Sequence, residues 1–586
     1  DVTLNMPMEV LGGNDQLIML GPVVNNSTII LNPNLAVFNA QLVFGADTSI
    51  TGNGQIVMQV ATNPNDAQLA ASAGFTGTIG AGQAVTGAGQ INGDIVLNGS
   101  ITATDPMFDM LVNDTLSGPG TLVAGSGARL LFSSADISGV TLESTGDGIV
   151  GPLNGLTTVS NVTIAGNAGI AGSNTRMGLL GDITNNGTLT LNFTDQVFNA
   201  ILDFDSTATI NGTGDIRMVT TSDFNDAQIL TSDAFVGTFS AGQSIAGSGL
   251  INGTFVNNGT IDGDDALRAL RLSGSFTGSG ALFSSGGALT LESVDITDHV
   301  LGTSAGGIIT ASQGTSSLTD VINNGDLGLN GNNTRLNING SFTNNGNVLV
   351  NVTDTVFNAV LGVNTDSTID GTGTVVLETS GSLGDARIDA DDGINATFGS
   401  GQAISGSGQI FGDVTVEGSL DPAGDLREIN AQSGTLAVTG TTIFDLGGLA
   451  NTEFDRITTG ANQIISLGGS IEVNLDDGYS PMFGDEWEII GGASSTVING
   501  SYDSYSLPAA PISLAYRVFI ESDRVYVRLT CAADFNGDAM NNFFDISTFI
   551  DLFNNGDPRA DLTAPFGALN FFDIATYIAI YNAGCN

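Results

Sequence analysis

ITNNGTLTLNFT, residues Ile183 to Thr194, is the stretch on which the fold turns. After the Asn186-Gly187 turn, Thr188-Leu189-Thr190-Leu191-Asn192-Phe193-Thr194 alternates polar and apolar residues with little interruption. A period of two puts one face in a core and the other in water, so the stretch predicts a short, half-buried β-strand. Asn347-Val348-Leu349-Val350-Asn351-Val352-Thr353 reads the same way. Similar runs recur along the chain, separated by Asn-Gly, Gly-Ser-Gly and Asn-Gly-Thr turns. No convincing 3.6-residue periodicity precedes residue 540.

The chain also repeats itself on a longer scale. VFNA occurs at Val37–Ala40, Val197–Ala200 and Val356–Ala359, at spacings of 160 and 159. GQAVTGAGQING from Gly82, GQSIAGSGLING from Gly242 and GQAISGSGQIFG from Gly401 keep that register. So do GGNDQLIML from Gly12, GSNTRMGLL from Gly172 and GNNTRLNIN from Gly331. Three markers with one offset define a triplicated unit of about 160 residues. The copies cover about 1–118, 119–278 and 279–420, and the third runs into a different C-terminal segment.

Asn-Gly between alternating runs is also a hairpin signal, so an antiparallel sandwich array is the rival fold. Stacked coils are favoured by the 81 glycines, by only 6% aromatic residues and by the many Asn residues that can align in ladders. The expected fold is therefore all-β: a parallel β-helix, or β-solenoid, of three repeats with a small α-helical C-terminal module. Strings such as ITNNGTLTLN (Ile183–Asn192) and VINNGDLGLN (Val321–Asn330) resemble the parallel β-helices of autotransporter passengers and filamentous-haemagglutinin-like adhesins. Coils of roughly 20–25 residues at about 4.8 Å per strand would make a rod of about 100–130 Å. Residues 421–530, with the single Trp487 and a last strand at 524–529, are expected to end the solenoid or cap it. That segment is similar to the β-rich region that follows the repeats of autotransporter-like proteins.

Residues 531–586 form a separate module. Asp534, Asn536, Asp538, Asn542 and Asp545 place side-chain oxygens at positions 1, 3, 5, 9 and 12 of a loop, with the Met540 carbonyl at position 7. That is the spacing by which an EF-hand-type loop wraps Ca²⁺. NFFDIS at Asn542 returns as NFFDIA at Asn570, and each precedes a helix-like apolar pattern. Two loop–helix units of this size resemble a dockerin domain, and more closely the modules that end many secreted planctomycete proteins. The resemblance implies Ca²⁺-dependent folding and attachment to a cell-surface or cohesin-like receptor.

Departures from that pattern carry expectations of their own. Ala539 stands at position 6, where the turn usually demands Gly. The second loop keeps Asp561, Asn570 and Asp573 but lacks acidic or amide side chains at positions 3 and 5, so its site is expected to be weak or absent. The positions corresponding to dockerin recognition are Phe543, Phe544, Phe571 and Phe572, which puts ordinary cohesin binding in doubt and reads equally as a module core. Cys531 and Cys585, the only cysteines, bracket the module as a disulfide clasp would and point to an oxidising, extracellular setting.

Composition limits function. The net charge is −47 and all 13 basic residues are Arg, which excludes nucleic acid and anionic lipid as partners and favours divalent cations. No apolar run reaches the roughly 20 residues needed to span a membrane, and an N-terminal Asp1 fits a removed export signal. Lysine is absent, and no nucleophile motif, P-loop or zinc spacing appears. His299 reads as a solvated turn residue. Arg176 and Arg335, at equivalent repeat positions with Gln16, read as structural contacts. The expectation is a secreted, non-enzymatic structural or adhesive surface protein. A carbohydrate-active β-helix acting on or binding polysaccharide, and a subunit self-assembling head to tail, stand as alternatives.

Overall fold

The computed structural model describes residues 2–584 except Asp233, Asn332, Thr355–Phe357, Ser380, Pro511, Ile512 and Pro565. It is mostly parallel β-sheet, with two α-helices near the C-terminus. The described residues fall into two compact units. One runs to Thr290 and includes Asp298–Ile308; the other takes Leu291–Thr297 and the residues from Ile309 on.

In the first unit short strands stack in parallel columns. Val2–Leu4, Val23–Asn25, Thr48–Thr51, Thr76–Ile79 and Asp94–Leu97 form one. Met8–Val10, Thr28–Leu31, Gln55–Met58, Ala84–Gly87 and Ser100–Ala103 form a second. Asp15–Met19, Ala40–Phe44, Ala67–Ala71, Gly89–Asn92 and the start of Met110–Ser117 form a third. Among the described residues of this unit every ladder is parallel, so its Asn-Gly turns are corners between columns and the hairpin reading fails there.

Alternation does what the sequence leads one to expect: in Thr188–Leu191 the two leucines are buried and the two threonines half-buried. Inward residues stack in register. Ile29, Ile56, Val85, Ile101 and Leu122 make one ladder, none more than 1% exposed. Burial of such ladders, at about 25 cal/mol per Å² of apolar surface, is the main force holding the columns. Further along, Phe239, Phe255 and Phe276 stack at centroid distances of 5.4 and 5.3 Å. Gly237 makes room for them, since a Cβ there would lie 2.8 Å from the Phe255 ring.

Polar groups inside the stack are paired. Asn25 donates to Gln83 Oε1 at 3.0 Å, while Gln83 donates to the carbonyls of Asn25 and Thr51. Asn185 and Gln243 repeat this at 3.1 Å in the second copy. Charged pairs lie further out: Arg176 meets Asp203 at 2.9 Å and also Asp205, where the first copy has Gln16 donating to Gln41. His299 departs from expectation. It is 1% exposed, with Nε2 3.4 Å from the Asn257 amide nitrogen, because its position faces inward at the start of a strand.

In the second unit a column runs through Asp326–Leu329, Asn347–Val350, Thr374–Leu377, Ala403–Gly406, Ser419–Pro422, Thr441–Leu446, Ser470–Leu475 and Ser504–Ser506. Parallel stacking thus continues past residue 421. Asn344 and Gln402 form the third Asn–Gln pair at 3.1 Å, and Arg335 meets Asp389 at 2.7 Å and Asp391 at 2.9 Å. Residues paired in parallel stand from 16 apart (Ala84 to Ser100, in the first unit) to 34 apart (Ser470 to Ser504), a wider range than the 20–25 read from sequence. The extra residues are taken up in corner loops. Near its end Val525–Cys531 pairs antiparallel with both Glu486–Gly492 and Leu514–Ile520. Trp487, fully buried there, donates its indole N–H to the Gly448 carbonyl at 2.7 Å.

Candidate metal centre

The strand Val525–Cys531 delivers the chain directly into the loop that begins at Asp534. Two helices follow, α1 (Phe543–Asn554) and α2 (Phe571–Ala583). Each begins with a capping box. Asn542 accepts from Phe544 N and Asp545 accepts from Asn542 N, and Asn570 and Asp573 repeat the arrangement. Such caps satisfy N–H groups that a helix start leaves without partners. The helices pack on Phe535, Phe549 and Tyr577. The last two stack at 4.1 Å between centroids, and Phe535 meets them edge-on at 5.3 and 5.2 Å. Arg517 lies over the Phe535 ring at 3.7 Å and also bonds the Ala532 carbonyl, fixing the module to the strand Leu514–Ile520.

Phe543, Phe544, Phe571 and Phe572 are not this core. They are 71, 67, 73 and 69% exposed. They occupy the first turns of the helices and take no part in the cluster around Phe549 and Tyr577. The expectation that these four residues form the module's core therefore fails.

Of the six residues read as ligands, the fold gathers three carboxylates. One oxygen each of Asp534, Asp538 and Asp545 lies within 4.8 Å of the others. Asp534 and Asp545 are buried and Asp538 is exposed. Asp534 accepts from Thr530 Oγ1 at 2.5 Å, Gly537 N at 2.7 Å and Ala539 N at 3.0 Å. Asp545 Oδ1 accepts from Phe535 N and Asn536 N. Burial pushes the Asp545 carboxyl up, helped by the Asp534 charge and opposed by those N–H donors. Burial also works against Asp538, but the Met540 N–H and the amides of Asn542 and Asn536 hold it below its ordinary value. Like charges about 4 Å apart repel by about 4 kcal/mol at an effective dielectric of 20, so three converging carboxylates favour a cation among them.

The other residues are placed differently. Asn536 and Asn542 both donate their amide N–H to Asp538 Oδ2 at 3.1 Å. The Asn542 oxygen serves the α1 cap, and the converging carboxylates are those of Asp534, Asp538 and Asp545. Met540 donates its N–H to Asp538 Oδ1 at 2.8 Å. Ala539 takes φ of 60°, the left-handed conformation its loop position requires. In the second loop, Asp573 accepts from Leu562 N, Thr563 N and Thr563 Oγ1, each at 2.9 Å. Asp561 accepts from Gly567 N. Among the described residues only the first loop brings three carboxylates together. Cys531 is disulfide-bonded, and Cys585 lies outside the described residues. The contacts from Thr530 to Asp534 and from Arg528 to the Gly537 carbonyl carry no sequence signal; they exist because the last strand runs alongside the loop.

Compared with known proteins, the chain matches no family model and no curated sequence. Among the described residues no helix is long and apolar enough to cross a membrane.

Proposed function

We propose that the chain is an extracellular structural or adhesive β-solenoid, held to a surface receptor by a Ca²⁺-dependent, dockerin-like C-terminal module. The solenoid reading rests on parallel columns in which neighbouring strands return every few tens of residues. The hard, oxygen-only donor set of Asp534, Asp538 and Asp545 suits Ca²⁺. The observation that carries the tethering role is the exposure of Phe543, Phe544, Phe571 and Phe572. Large aromatic residues in two equivalent, exposed pairs fit a protein partner with apolar pockets.

Calcium titration calorimetry on the full chain tests the metal. One site is expected in the wild type, and none in Asp534→Ala/Asp538→Ala. Equal heats in both would sink the assignment of this loop.

A further inference from the structure

The chain contains three Asp–Pro bonds, at Asp105–Pro106, Asp421–Pro422 and Asp557–Pro558. Such bonds join a carboxyl able to attack its own backbone carbonyl to a tertiary amide, whose nitrogen leaves as a secondary amine. Two of the three aspartates are held by their surroundings. Asp105 Oδ1 accepts the N–H groups of Met107 and Phe108 at 2.8 and 3.3 Å. Asp557 is gripped on both oxygens by Arg559, through Nε at 2.9 Å and Nη2 at 2.7 Å.

Asp421 differs. Its Oδ1 is buried without a hydrogen-bond partner. The strand Ser419–Pro422 points Leu420 and Pro422 inward and leaves Asp421 on the outer face. Three charged groups bear on it: Asp445, Glu472 and Arg427. On its other side the residue in register is Ser405. Arg427 is engaged elsewhere, with Asp455 at 2.7 Å and Asp476 at 2.6 Å.

We propose that Asp421–Pro422 is a self-processing site, at which the Asp421 carboxyl opens the following peptide bond under weakly acid conditions. An oxygen of the protonated carboxyl bonds to the Asp421 carbonyl carbon and closes a five-membered anhydride. The C–N bond to Pro422 breaks, its electron pair stays on nitrogen, and the carboxyl proton passes to that nitrogen. Water then adds to the anhydride, leaving Asp421 with two carboxyl groups and Pro422 as a free N-terminus. The net change is hydrolysis of one peptide bond by one water molecule. Burial first, then the Asp445 and Glu472 charges, raise the Asp421 pKa against the pull of Arg427, which brings the acid form toward milder pH.

Such a cut would not separate the pieces. Ser419 and Leu420 remain paired with Ala403 and Ile404 on one side and Thr441 and Thr442 on the other. Ala423 N remains bonded to the Gly406 carbonyl at 3.0 Å. The product is a nicked chain whose repeats and C-terminal module are joined by packing alone.

The test is intact mass of the full chain, denatured after incubation at about pH 4.5, near the ordinary carboxyl range, and at about pH 7.5, well above it. Fragments ending at Asp421 and starting at Pro422 are expected at the lower pH. Asp421→Asn and Pro422→Ala should each slow their appearance by about a hundredfold or more, the scale of losing a positioned acid. Circular dichroism checks that both variants keep the wild-type strand content. No fragment at the lower pH, equal cleavage at all three Asp–Pro bonds, or unchanged cleavage in the folded variants would each overturn the proposal.

Discussion

Asp226 is 1% exposed, and its Oδ2 accepts N–H bonds from Thr221, Ser222 and Asp223 at 2.8, 2.6 and 3.1 Å. Burial alone would raise its pKa, but these donors outweigh it and hold the carboxyl below its ordinary value. A depressed folded pKa adds stability above the unfolded pKa of about 3.9, and that stability is lost as pH falls through the folded value. Asp226→Asn should cost about 2 kcal/mol at neutral pH and flatten the acid limb of a denaturant-midpoint-versus-pH curve. Gln243 holds Asn185 Nδ2 and the carbonyls of Asn185 and Asn211. Gln243→Ala strands these buried groups, and chemical denaturation should register a loss of about 2–3 kcal/mol. The GQ strings mark Gln83, Gln243 and Gln402 as repeated, yet the partner Asn stands 58 residues away in each copy, beyond any local pattern. His299 was misread for a related reason: Asp298 beside it looks like a turn, while the ring's direction depends on strands elsewhere in the stack.

At the scale of elements, α1 and α2 were legible from NFFD because a capping box and the end of a Ca²⁺ loop ask for the same residues. An Asn followed three positions later by Asp serves both, so Asn542 and Asn570, read as ligands from sequence, also cap the helices. The exposure of the paired phenylalanines was hidden similarly: adjacent residues in a helix face different ways, and the core was taken by Phe549 and Tyr577 instead. Phe549→Ala should cost about 3–5 kcal/mol through the cavity it leaves. Phe571→Ser should change stability by less than about 0.5 kcal/mol while weakening the proposed receptor attachment. Thermal melts of the two variants separate these outcomes; a large loss for Phe571→Ser would return that side chain to the core.

Across the whole molecule, triplication could be read directly, since three markers shared one offset. Parallel pairing was indicated only by composition, through the many Gly and Asn and the few aromatic residues, because Asn-Gly punctuates a hairpin and a column corner alike. What separates them is the partner strand, which lies 21 residues on at Val2 and 27 at Ala40. Ladders such as Ile29 to Leu122 owe nothing to a metal, whereas the loop at Asp534 crowds three carboxylates that a cation would reconcile. Hydrogen exchange of the full chain, followed by mass spectrometry with Ca²⁺ and with chelator, tests that division most directly. Residues 534–583 are expected to lose protection in chelator while the parallel strands keep theirs. Identical exchange of the 534–545 loop in both conditions, or loss of protection throughout the strands, would contradict it.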